Sequence, residues 1–261
     1  MNSYYTTFGK ASVHDREVYY LTSIGRNLFV GEEAGMEVGV YDEVSKNMYS
    51  LRNTIKAPMG VLGKVEEIVA TVKGDRVAIR YTKEIIDGGE KNNVVYIFWN
   101  INGIWVMKYK AFPKYYEVGS NYGNKIALSR DGNILFVGAK TKENDQTTKI
   151  PGSTGSVYTY IFNERTEKYE RGQMIRPAYS HDGNPVIDFG VDINTDNHNL
   201  GLYKCIEIID GDLNTHTYHL KYKGEGKHQW LHDVENYEEN MGFIHKSLGV
   251  VAKFIGSTLF L

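Results

Sequence analysis

Residues 125–139, KIALSRDGNILFVGA, constrain the fold more than any other stretch, because versions of them return along the whole chain. Apolar and polar residues alternate, the run breaks at Arg130-Asp131-Gly132-Asn133, and alternation resumes as far as Gly138. Alternation of period two marks a strand with one buried face, and Asp-Gly and Asn readily adopt the positive φ of a tight hairpin turn. Residues 18–31 repeat the pattern around Gly25 and residues 68–80 around Gly74. Residues 191–203 take the same place with a turn near Asn197, and residues 248–261 begin a fifth copy around Gly256. Each of the first four is followed by an outer hairpin, at 37–55, 94–110, 156–175 and 216–234. An aromatic stands soon after each outer turn: Tyr49, Trp105, Tyr169 and Trp230.

Two aligned series spaced about 50 to 65 residues apart are the mark of a four-stranded repeat. The expected architecture is an all-β β-propeller of five blades, each of four antiparallel strands, in one domain spanning residues 1–261. The fifth copy has only its inner pair, so a strand at residues 3–8 is expected to join it, closing the last blade with both termini and removing exposed edges. Twenty tyrosines and 27 glycines against five prolines agree with strands and turns. Across the five inner turns the glycine or asparagine persists and Asp131 does not, so the acid is expected to be dispensable there.

Charge and composition exclude several classes. The formal charge is −2 with the signs interspersed, so the basic stripe of a nucleic-acid binder is missing. Cys205 is alone and forms no internal disulfide. Neither a signal peptide nor a membrane-length apolar run is visible. The chain is therefore expected in the cytoplasm or incorporated into a particle such as a virion, without membrane insertion.

The third repeat, YGNKIALSRDGNILFVGA followed by GSVYTYIF, resembles an FG-GAP-type propeller repeat, the class that includes integrin α-subunit blades. Tyr122-Gly123 stands in the place of the Phe-Gly, and Val137-Gly138-Ala139 in that of the Gly-Ala-Pro. Phe189-Gly190 and Phe29-Val30-Gly31 are further matches. The resemblance implies a propeller used for adhesion, recognition or assembly, and no catalytic residues. Many repeats of that family hold calcium on alternating oxygen ligands. Asp192, Asn194 and Asp196 have the alternation, but Asn197 replaces the expected glycine and the later carboxylate is missing. An ordinary polar turn is the favoured expectation, with no cofactor.

His216 and His219 point to opposite faces of a strand, and His228 and His232 lie far apart on one face, so none of these converges on a transition metal. A glycoside hydrolase needs paired carboxylates on inner strands or channel loops. The inner strands read as apolar (Val69, Val77, Ile79, Ile126, Leu128, Leu135), and Asp87, Asp182 and Asp188 fall in loops with no committing spacing. No phosphate loop or nucleophile motif appears.

Long segments at 82–93, 112–122, 140–155, 176–188 and 236–245 are expected on one rim, where loops on a rigid scaffold carry binding. Phe112, Tyr115, Tyr116, Tyr122, Tyr179 and Tyr237 supply that rim with amphipathic contact groups. The sequence thus leads to a non-enzymatic interaction or assembly module that meets protein partners through this rim, as a structural component of a larger particle or surface complex. The alternatives are a carbohydrate-binding propeller, with a glycan on the same rim, and a five-bladed glycoside hydrolase.

Overall fold

The computed structural model describes residues 6–8, 11–13, 16–24, 27–32, 35–46, 48–71, 73–86, 89–112, 121–140, 155–175, 186–187, 190, 192–195, 199–209, 212–222, 230–232, 253–255 and 258–260. The chain divides into two compact units, Met1–Lys110 with Ile244–Leu261, and Ala111–Phe243. Every regular element among the described residues is a strand. None of them is a helix long and apolar enough to cross a membrane.

In the first unit, β1 (Thr6–Phe8) and β2 (Ala11–Val13) both pair with β3 (Arg16–Ile24). From β3 the chain folds back on itself through β4 (Asn27–Glu32), β5 (Val38–Ser45) and β6 (Met48–Ile55) as an antiparallel meander. A second meander follows: β7 (Val65–Ala70), β8 (Arg76–Ile86), β9 (Gly89–Ile101) and β10 (Ile104–Ala111). The alternation seen in the sequence becomes a shared core in which Phe29, Val40, Ile55, Ile68, Val77, Ile79 and Tyr96 are buried together.

The second unit repeats the plan. Its first sheet is β11 (Asn121–Leu128), β12 (Ile134–Lys140), β13 (Ser156–Asn163) and β14 (Lys168–Ile175). Its second sheet contains β15 (Val186–Ile187), β16 (Asp192–Thr195), β17 (Asn199–Ile209), β18 (Asp212–Tyr222) and β19 (Trp230–His232), with β15 and β16 both paired to β17. Phe136, Val157, Ile175, Ile193, Leu200 and Leu220 form its core.

Two inner turns show why the hairpins recur. Thr71 and Ser129 hold equivalent positions, each donating its backbone N–H to the carbonyl five residues on and accepting from the glycine three residues on. Each hydroxyl also donates to an aspartate at 2.7 Å, Asp75 and Asp131 respectively. Asp131 accepts in addition from the backbone N–H and the side-chain amide of Asn133. The expectation that this acid is dispensable is therefore corrected, because it closes the turn with three bonds. The outer aromatic reaches the same turn: the Tyr169 hydroxyl donates to the Gly132 carbonyl.

The all-β architecture of four-stranded antiparallel sheets, the unit from which propellers are built, is as expected. The count of five is not confirmed, since the described strands form four sheets. A fifth sheet joining the two ends is not among them. Instead β20 (Lys253–Ile255) and β21 (Thr258–Phe260) form a hairpin whose β21 pairs with β6, while β1 and β2 add to the opposite edge at β3. Open strand edges at β6 and β3 offer unpaired backbone groups, and each terminal segment satisfies one of them.

A backbone approach links consecutive elements within each unit. Gly31 and Gly138 follow Val30 and Val137, which oppose Leu21 and Ile126 in equivalent registers. A Cβ on Gly31 would lie 2.9 Å from Val65 Cγ1, and one on Gly138 would lie 2.0 Å from the Gly190 carbonyl oxygen. The second obstacle is backbone and cannot rotate away. Gly138→Ala is expected to cost about 3 kcal/mol or more, at the upper end of the range for overpacking. Gly103→Ala, with φ of 86° but nothing within 4 Å, should cost only about 1 to 2 kcal/mol. Urea unfolding of the two variants tests the ordering.

Candidate functional site

The sequence of β7, VEEIVA, places Glu66 and Glu67 side by side, and simple alternation would send them to opposite faces of the sheet. The register shows otherwise. Val65 opposes Tyr81 and Glu67 opposes Arg80, so Glu66 is an extra residue in a β-bulge. The bulge brings both acids to one guanidinium. Arg80 Nη1 donates to Glu66 Oε2 at 2.8 Å and to Asn93 Oδ1 at 3.2 Å. Arg80 Nε lies 3.6 Å from Glu67 Oε2, a charge contact beyond hydrogen-bond length.

Burial divides the two acids. Arg80 is 8 % and Glu67 4 % exposed, whereas the Glu66 side chain keeps 29 % of its surface. A buried charge persists only when paired, so Arg80 and Glu67 require each other. Glu66 alone combines a fixed orientation with access to solvent. Asn93, at φ of 56°, completes the cluster from β9. In register Arg80 stands where the first and third sheets have Gly31 and Gly138.

Tyr81 follows on the opposite face and is wholly buried in the core, its hydroxyl without a hydrogen-bond partner. Burial, and secondarily the charge of Glu37, push its phenol above the usual tyrosine range.

Of the residues expected to form the binding rim, Phe112 and Tyr122 are among the described ones. Tyr122 is buried at 1 % exposure; its hydroxyl shares a 2.7 Å hydrogen bond with that of Tyr160, and its ring meets Tyr158 edge-on at 5.3 Å. It is a core residue, and its assignment to the rim is corrected. Phe112 is half-buried, and its carbonyl accepts from Arg171 Nε at 3.1 Å. Tyr115, Tyr116, Tyr179 and Tyr237 lie outside the described residues. The expected loop at 82–93 is likewise corrected, since β8 and β9 continue as a paired hairpin with Lys83 opposite Asn92 and Ile86 opposite Gly89. Of the calcium candidates, Asp192 and Asn194 lie on β16 opposite Tyr203 and Gly201, and Asp196 is outside the described residues. Among the described residues no group of three or more His, Cys, Asp or Glu converges on a metal position.

No protein-family model matches the sequence, and the search of curated proteins found no match. Solved structures with a similar chain path do exist. One is a putative 6-phosphogluconolactonase from Bacteroides uniformis, at 13 % identity and TM-score 0.44, covering 79 % of this chain and 57 % of that one. The periplasmic gluconolactonase of Pseudomonas aeruginosa aligns at 15 % identity and TM-score 0.40, covering 83 % and 58 %. A GH43_12 protein from a capybara gut metagenome aligns at 9 % identity and TM-score 0.39, covering 90 % and 45 %. The chain thus spans little more than half the length of the lactonase structures it resembles.

Several of these structures carry enzyme names, and the expectation of a non-enzymatic assembly module is corrected on the ground that carried it. The physical reason lies in β7. Apolar inner strands were the ground for setting an enzyme aside, yet this first strand carries two carboxylates on one guanidinium. Adjacent acids at a strand start were the only signal, and alternation hid it.

Replacing Arg80 by Met is expected to cost about 3 to 5 kcal/mol, because it removes one partner of a buried charge pair. Adding Glu67→Met should recover much of that loss in urea unfolding, and no recovery would show that the pair is not coupled. Tyr81 supplies a pH test. Its folded pKa is raised above the unfolded value of 10.0, so its contribution is fully present below pH 10 and is lost as the pH rises beyond it. Tyr81→Phe should remove that alkaline loss and, by deleting an unpartnered buried hydroxyl, raise stability at neutral pH by about 1 kcal/mol.

Proposed function

We propose that the chain is a propeller-type hydrolase acting on a small sugar-derived lactone or ester, with Glu66 as the residue that activates water. The observation that supports this reading is the bulge of β7, which holds a solvent-accessible carboxylate in a fixed orientation on a buried, doubly paired arginine. A positioned carboxylate within reach of water is what general-base hydrolysis requires. In the step envisaged, Glu66 takes a proton from water as the oxygen attacks the acyl carbon. The carbonyl electron pair moves to oxygen and returns as the ring C–O bond breaks. The proton passes to the departing alkoxide, giving a hydroxy acid. Arg80 acts as a positioning residue, fixing the Glu66 carboxylate.

Glycoside hydrolysis fits this cluster less well. It needs two carboxylates on opposite sides of the scissile bond with room for the sugar between them. Here both acids meet the same guanidinium, and Glu67 is buried.

Acid release from six-carbon sugar lactones and simple aryl esters, corrected for the uncatalysed rate, tests the reading. Turnover is expected, and Glu66→Gln should lower kcat/KM by about 100-fold or more while the melting temperature stays near that of the parent. Turnover of aryl glycosides alone would move the function to glycosidase chemistry. Absence of turnover on all three classes, or a Glu66→Gln variant with full activity, would overturn it.

A further inference from the structure

We propose that the outer edge of the second sheet, at β10, receives an extended, acidic and apolar strand from a partner protein. Three observations apart from the Glu66 cluster lead there. The first is topological. β10 ends its sheet, and Ile104 to Lys108 have no neighbouring strand on their outer side among the described residues. β6 holds the same fourth place in the first sheet, and its edge is covered: Thr258, Leu259 and Phe260 pair with Ser50, Tyr49 and Met48. The fold therefore already adds a strand at one fourth-strand edge, by the backbone pairing that recruits a peptide to an open sheet.

The second observation concerns side chains. Beside β10 runs a groove of about 510 Å³, floored by Phe98 and Trp105 and flanked by Ile104, Met107 and Met59. Ile104 is 66 % and Met59 99 % exposed, and Val106 and Met107 add further exposed apolar surface along the strand. Trp105 is held from beneath by an edge-on contact with Phe29 at 5.7 Å, so the floor is firm while the methionine walls can adapt. A space of this size takes one or two large apolar side chains from a strand lying against β10.

Charge selects the occupant. From residue 91 to residue 116 the sequence holds four lysines and no acid. Lys108 lies over the Trp99 ring at 5.4 Å, Lys110 over Tyr96 at 5.9 Å, and exposed Lys56 lines the groove. A partner strand alternating acidic with β-branched residues would answer the cationic edge and the apolar groove together.

The test uses the full chain and a fluorescent synthetic peptide of about seven residues, the length of an ordinary strand, alternating glutamate with valine or isoleucine. Fluorescence anisotropy should show saturable, salt-sensitive binding. Affinity should fall by about tenfold or more when the peptide's glutamates become lysines, and likewise in the Ile104→Glu/Met107→Glu protein. Lys56→Glu, at an exposed position, gives a second variant that should weaken binding even if the double variant fails to fold. Equal binding of acidic and basic peptides, or no binding of the acidic one, would overturn the proposal. So would concentration-dependent self-association in light scattering that Ile104→Glu/Met107→Glu abolishes, since it would make a second copy of the chain the occupant.

Discussion

Close backbone approach at the second strand of a repeat is the constraint on which much of this structure depends. At Gly138 the chain that enters the next sheet passes so near that the Gly190 carbonyl occupies the place of a side chain. At Gly31 the first strand of the next sheet comes almost as close through Val65. Interiors are packed to the density of organic crystals, so a position without a Cβ cannot be filled without moving backbone. These glycines set how tightly successive meanders stack within each unit, and through that which residues are buried.

The second sheet departs from the rule. Arg80 occupies the register position of those glycines, beside a register shift of one residue at a place where the first and third inner hairpins are shifted as well. The extra residue is Glu66, and its neighbour Glu67 supplies the buried counter-charge. This bulge brings two acids to one buried arginine and leaves one of them, Glu66, open to solvent on a rigid support. Bulges are common where a fold re-aims a side chain for use, and this one carries the functional reading.

Local features were well legible in the sequence. The tight turns at Gly74 and Gly132 lie where alternation breaks, because turn chemistry and period-two burial are decided within a few residues. Errors arose where polarity misled. Residues 82–93 look like a loop because charged and amide side chains crowd them, yet β8 and β9 stay paired through most of that stretch, since the ladder needs backbone partners and not apolar side chains. The amphipathic ring of Tyr122 suits a surface contact, yet its hydroxyl is satisfied inside by Tyr160.

By itself the sequence determined that this protein is all-β, that its strands come as repeated antiparallel hairpins, and where most of the inner turns fall. Each of these follows from residue-scale preferences that need no distant partner. Only the tertiary structure decided which edge each terminal segment covers, that Glu66 and Glu67 share one arginine, and that no strand among the described residues covers the outer edge of β10 beside an apolar groove. The cover at β6 depends on pairing between strands far apart in the chain, and the shared arginine on a register shift between β7 and β8. A slip of one residue reverses which face a side chain occupies, and period-two patterning does not encode such slips.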